Sequence, residues 1–273
     1  MKYIGVQMHS KIEQIIQKSK ERADALSEIN TQTRCNDRRD IFESIGLVCK
    51  RGHIPVIAEV KPASPTGKFA DVNPEIASQI ACDMENAGAV ALSVLTEPCY
   101  FEGCIENLES ARKHTSIPVL RKDFIVDTSQ MHEANSDVIL LIAGVLGNRL
   151  PEFIEIARRR NIEPLVEVHN KKELAYVLEC DAILIGINNR SFETLEINLE
   201  TAEKLIPLVK EHDRKYNQKH LIIGESGVKS TDDAARMIKA GADALLVGTY
   251  LMEGDLKEKM KKLIEANNKQ EIV

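Results

Sequence analysis

Residues 56–69 read V-I-A-E-V-K-P-A-S-P-T-G-K-F. The first residues are apolar and mostly β-branched, which predicts a buried strand. The run ends in a carboxylate and an amine, Glu59 and Lys61, and then breaks into a loop with Ser-Pro, Gly and a second lysine, Lys68. Residues two apart on a strand share a face, so both charged side chains can enter one space. A buried strand with no such purpose stays apolar to its end, because an unpaired interior charge is costly. Charged strand ends are also common without function, so this fragment alone leaves a structural pair and a site open.

Seven more short apolar runs follow: Val90–Leu95, Pro118–Lys122, Val138–Ile142, Pro164–Val168, Ala182–Asn188, Leu221–Gly224 and Ala244–Gly248. Amphipathic segments alternate with them, at Pro74–Ala87, Ile105–His114, Leu150–Arg160, Lys171–Glu179, Leu199–His212, Thr231–Ala240 and Leu256–Asn267. Only the piece between the third and fourth runs, about Thr128–Asn135, is short for a helix. Eight β-then-α units predict an α/β protein with a closed (β/α)8 (TIM) barrel, since open doubly wound sheets usually have about five or six strands.

Upstream, residues 9–29 carry Ile12, Ile15, Ile16 and Leu26 among polar residues, with Ser10 as a cap, and predict an amphipathic helix. Residues 30–53 predict a polar connection around Arg34 and a short helix. Residues 1–273 are therefore expected to form one barrel domain, with 1–53 as an N-terminal helical extension.

The chain has 36 Lys and Arg against 42 Asp and Glu, a net charge of −6. That balance argues against a nucleic-acid binder relying on phosphate neutralisation. The six cysteines form no C-x-x-C and no zinc-type spacing with the seven histidines, so free thiols and no metal are expected. The N-terminus lacks a signal-peptide pattern, and no apolar run approaches the ~18 residues of a membrane span. A cytoplasmic location without membrane association is expected.

Barrels of this kind place their sites at the carboxyl ends of the strands. There the sequence puts Glu59 and Lys61; Arg121, Lys122 and Asp123; Glu167; Asn188, Asn189 and Arg190; Glu225, Ser226 and Gly227; and Gly248 and Thr249. Ionisable groups gathered around one mouth mark a candidate active site. The small residues after the last two strands let backbone N–H groups approach an anion, as phosphate-binding barrels do. Glu225 precedes the serine of G-E-S-G, so the hydrolase elbow is matched only superficially.

Several blocks carry a resemblance: I-A-E-V-K-x-x-S-P-T-G (57–67), V-L-T-E-P-x-Y-F-x-G (94–103), P-V-L-R-K-D-F-I-V-D (118–127), L-V-E-V-H (165–169), I-G-I-N-N-R-x-F-x-T-L-E-I (185–197), G-E-S-G-V (224–228) and L-V-G-T-Y-L-M (246–252). In these the chain resembles the indole-3-glycerol phosphate synthase family of tryptophan biosynthesis. The resemblance implies closure of a phosphosugar-anthranilate substrate, 1-(2-carboxyphenylamino)-1-deoxyribulose 5-phosphate, to indole-3-glycerol phosphate with loss of carbon dioxide and water, and no cofactor.

By the same resemblance, Lys122 is the acid in ring closure. Lys61 holds the substrate carboxylate and is the acid in dehydration, Glu167 is a hydrogen-bonding or base partner, and Glu59 is the final base. Asn188 and Arg190 orient the carboxylate and neighbouring hydroxyls with Glu225 beside them, and Ser64 belongs to the binding loop. Phosphate is expected on Ser226, Gly227, Gly248 and Thr249 with help from Lys61. Phe101, Phe124, Leu140 and Ile142 are candidates to pack on the aromatic ring, or simply core. A monomer or weak homodimer is expected.

The chain departs from the family at Pro62, where arginine is common, and in the N-S-D-V before the fourth strand. The first change bears on the loop Ser64–Phe69, a candidate lid. Alternatives are a phosphosugar isomerase, a Schiff-base aldolase through Lys122 or Lys61, and a non-catalytic barrel that binds phosphate or docks on a partner enzyme.

Overall fold

The structure, a computed structural model, describes residues 8–26, 37–64 and 67–266. Strand β1 (Val56–Val60) is followed by a two-stranded antiparallel ribbon, β2 (Ala63–Ser64) and β3 (Gly67–Lys68). The other strands are β4 (Ala91–Leu95), β5 (Val119–Lys122), β6 (Val138–Ile142), β7 (Glu163–Val168), β8 (Leu184–Asn188), β9 (Leu221–Glu225) and β10 (Ala244–Val247). All strands except the ribbon pair in parallel in chain order, and β10 returns to β1 through Val56↔Leu245 to close an eight-stranded barrel. The (β/α)8 expectation therefore holds.

Side-chain alternation divides the core. Val56, Ala58 and Val60 point outward to the helices with Leu92, Val166 and Leu245, whereas Ile57, Leu120, Leu140, Leu165, Ile223 and Leu246 fill the barrel interior. The same alternation turns Glu59, Lys122, Glu167 and Glu225 inward at the strand ends.

Most outer helices fall where periodicity placed them, including Ile105–His114 and Thr231–Ala240. The connection after β5 is a short 3₁₀ helix, Thr128–His132, started by a capping box between Asp127 and Gln130. The helix expected over 199–212 instead spans Glu200–Tyr216, ending at a left-handed Asn217. Its last turn, Asp213–Tyr216, is mostly charged, and its one large hydrophobic, Tyr216, is exposed. Short helices at Ala143–Leu146 and Thr249–Met252 were not expected, nor was the ribbon. The expected connection around Arg34, the last residues of the first helix (27–29), and Pro65 and Thr66 of the candidate lid lie outside the described residues.

Among the described residues two helices precede β1, α1 (Ser10–Leu26) and α2 (Ile41–Cys49), and they serve opposite ends of the barrel. At the amino-terminal end of the strands, Ser44 Oγ of α2 donates to Val90 O. Just before α2, Arg39 N donates to Asp137 (2.9 Å), and Arg38 pairs with Glu163 at 2.9 Å. At the carboxyl-terminal end, α1 follows His9, whose N–H donates to Phe192 O (2.8 Å). Tyr100 donates to Gln14 (3.2 Å), and Arg22 pairs with Asp123 at 2.7 Å. No helix among the described residues is long and apolar enough to cross a membrane, and the described cysteines are free thiols.

Candidate active site

Strand direction brings five of the sequence candidates together. Lys122 reaches across the barrel from β5 to hydrogen-bond Glu225 on β9, and its Nζ lies 3.7 Å from Glu167 on β7. Lys61 Nζ lies 3.4 Å from Glu59 on the adjoining wall. The predicted shared face of Glu59 and Lys61 is thus an ion pair at the mouth.

Two glycines make room for these carboxylates. A Cβ on Gly186 would stand 2.2 Å from Glu225 Oε1, and one on Gly248 would stand 2.3 Å from Glu59 Oε1. Replacing Gly186 with Ala is expected to push Glu225 off Lys122 and lower turnover by about a hundredfold, the scale of a ~1 Å misplacement. Catalytic assays alongside thermal melts check this; unchanged turnover in a folded variant would mean that Glu225 is free to relax.

Burial and charge set the protonation states. Burial opposes the Lys122 ammonium, but Glu225, Glu167 and Glu59 outweigh it and hold its pKa above the usual lysine value. Burial also opposes the Glu167 carboxylate, yet His169 and Lys122 keep its pKa below the ordinary range. Glu225 goes the other way: burial and the Glu167 charge raise its pKa despite Lys122. Two neighbouring carboxylates pushed apart in this manner supply one base and one group able to hold a proton.

The remaining candidates fall into three sets. Ser226 and Gly227 have consecutive positive φ angles of 63° and 95°. Such a turn can present backbone N–H groups to an anion. Asn189 fixes it by donating to Glu225 O (3.1 Å) and Ser226 O (2.9 Å). Gly248 precedes the short helix Thr249–Met252 that follows β10. Asn188 Oδ1 accepts the Arg190 N–H at 2.9 Å, and Arg190 Nη1 donates to Leu195 O at 2.8 Å. Asn188 thus orders the loop that carries Arg190. Burial lowers the Arg190 pKa, while Glu59 is the charge that favours its cation.

Phe101 and Phe124 lie 6.4 Å apart, and Phe124 stacks on Phe192 at 6.2 Å. Ile142 is level with Glu167, while Leu140 pairs with Leu165 one layer down and forms the floor. Ser64 lies in the ribbon and donates to Gly67 O at 3.3 Å. Ala63 N donates to Phe101 O, tying the ribbon to the aromatic wall. Pro62 is buried, and its carbonyl accepts from both Phe69 and Ala70.

Sequence reasoning assigned no role to Glu97, Asp123, His169 or Phe192. Glu97 accepts the N–H groups of Cys99, Tyr100 and Phe101 at 2.9, 2.7 and 3.1 Å, which shapes the loop carrying Phe101. A lone acid inside T-E-P gives no periodic signal. Away from the mouth, His212, Asp213 and His220 bring ligand-type atoms within 4.8 Å of one another. Asp213 accepts both the ring and the backbone N–H of His220, clasping helix to strand.

Fold and site together place the chain among (β/α)8 barrels that gather lysines and carboxylates at the carboxyl ends of their strands. The family model described as indole-3-glycerol phosphate synthase matches residues 6–263. The chain belongs to the indole-3-glycerol phosphate synthase family.

An indole-3-glycerol phosphate synthase of Methanopyrus kandleri is 36% identical over 265 residues, covering 95% of this chain and 100% of that protein. That of Methanocaldococcus jannaschii is 40% identical over 215 residues, 77% of each. Among solved structures, the N-acetylmannosamine-6-phosphate 2-epimerase from Clostridium perfringens superposes with a TM-score of 0.57 at 10% identity, covering 87% of this chain and 98% of that one. This last likeness is one of fold alone.

Proposed function

We propose that the protein is an indole-3-glycerol phosphate synthase, a carboxy-lyase acting on 1-(2-carboxyphenylamino)-1-deoxyribulose 5-phosphate. The observation that carries this reading is Lys122, set between Glu225 and Glu167 and held as a cation. Attack of the ring carbon on the sugar carbonyl forms the new carbon–carbon bond and puts charge on the carbonyl oxygen. An ammonium there stabilises that charge and supplies its proton. Carbon dioxide then leaves, restoring electrons to the ring. In the dehydration Lys61 gives a proton to the departing hydroxyl on the former carbonyl carbon, and Glu59 accepts a proton from the adjacent carbon, the former sugar methylene next to the nitrogen, as the double bond forms.

Lys61 also neutralises the substrate carboxylate, Asn188 and Arg190 orient it, and the turns at Ser226–Gly227 and Gly248–Thr249 hold the phosphate. Phe101 and Phe124 cover the ring, with Ser64 at the loop edge. A lysine kept protonated is a poor amine nucleophile, which disfavours the Schiff-base alternative.

Appearance of indole fluorescence on adding the substrate tests the activity; none from folded protein would overturn it. Glu59→Gln is expected to slow a step after ring closure, so that single-turnover runs accumulate an intermediate. Slower closure itself would move Glu59 to a different role.

A further inference from the structure

His169, just past β7, is used by no step above, yet it is buried beside the site. Its Nδ1 lies 3.1 Å from Glu173 Oε2, and its Nε2 lies 3.1 Å from Glu167 Oε1. The Nε2 contact is an ion pair without an aligned hydrogen bond. The ring packs on Phe192 with centroids 3.8 Å apart. Glu173 is itself held by the His169 N–H (2.8 Å) and Asn170 Nδ2 (2.8 Å), in space that a Cβ on Gly144 would intrude upon, at 2.8 Å.

The need for such an arrangement follows from what surrounds Glu167. Its register neighbours on β6 and β8 are Ile142 and Gly186, which offer no charge and no side-chain donor. Lys122 on β5 approaches to 3.7 Å but hydrogen-bonds Glu225 on β9. Glu225, whose pKa is raised by burial, brings no cation, and Lys61 is paired with Glu59. Lys122 is therefore shared, and the cation dedicated to Glu167 is His169.

We propose that Glu173 and His169 form a buried positioning dyad that holds Glu167 ionised and aimed at the reacting centre. A neutral histidine between two buried carboxylates would leave at least one of them facing a lone pair. The imidazolium, with a proton on each nitrogen, pairs with both, through a hydrogen bond to Glu173 and an ion pair with Glu167. The direction of the shifts agrees: burial opposes the charged ring, but the two glutamates push its pKa up to about 9. This role rests on the synthase reading only in that Glu167 acts there as a carboxylate.

The test has one arm that needs no turnover. In wild-type protein, 15N NMR of the imidazole is expected to show both His169 nitrogens protonated through pH 8; a neutral ring at pH 7 would overturn the dyad. In the second arm, His169→Gln is assayed for kcat and KM across pH 5–9. Expected is a fall in kcat of about tenfold or more with KM within about threefold. The acidic limb should move to higher pH, because Glu167 without its cation takes up a proton more readily. Unchanged kcat and limb in a folded variant would overturn the proposal.

If His169→Gln fails to fold, Glu173→Gln serves instead. It should lower the His169 pKa measured by NMR and move the same limb in the same direction, and no movement of either would overturn the proposal. Wild-type protein that is inactive but shows the imidazolium would sink the synthase reading and leave the dyad standing.

Discussion

Replacing Lys122 with methionine is expected to cut turnover by at least about a hundredfold, the usual effect of losing a general acid. Three carboxylates, Glu225, Glu167 and Glu59, hold this ammonium charged against the pull of burial, and methionine offers neither a proton nor a charge. Without it, the buried Glu225 loses the ammonium it hydrogen-bonds, and Glu167 keeps only His169 as a neighbouring cation. Binding of the product phosphate should survive, since the turns at Ser226 and Gly248 lie on other strands. Steady-state rates with a fluorescence titration of product separate the two effects; near-normal turnover would remove Lys122 from its role in closure.

The second large effect concerns stability. Asp123 is buried next to Lys122 and receives Arg22 Nη2 at 2.7 Å, Arg121 Nη2 at 3.0 Å and Thr96 Oγ1 at 2.7 Å. Arg121 points outward from β5 yet is 1% exposed, and donates also to Gln130 O and Glu133. Asp123→Ala would leave that buried guanidinium short of countercharge. Breaking a buried pair from one side costs about 3–5 kcal/mol, and denaturant unfolding should register a loss of that order. A loss below about 1 kcal/mol would mean that Glu133 compensates.

The pH dependence follows. Burial works against the Asp123 carboxylate, but Arg121 and Arg22 depress its pKa. Its contribution is complete above the usual aspartate pKa and is lost as pH falls through the depressed value.

The barrel was legible because burial on both faces makes parallel strands continuous apolar runs, and the break in each run exposed the candidate site residues: Glu59 and Lys61, Lys122, Glu167, Glu225. Residues whose partners are distant in sequence were not legible. His169 meets Glu173 one helical turn ahead, but the Phe192 ring lies on the next β–α connection. Asp123 needs Arg22, 101 residues earlier. The ribbon Ala63–Lys68 has strands of two residues each, too short for periodicity to register.

That separation of 101 residues between Arg22 and Asp123 also orders events on the ribosome. Helix α1 is made before β5, and its place on the barrel rim exists only once β5 has been made. At about 5–20 residues per second, the wait is roughly 5–20 s. For that time the stripe of Ile12, Ile15 and Ile16, fully covered in the finished molecule, has no native surface to meet. A helix with many charged and amide residues between its isoleucines is suited to that delay in water.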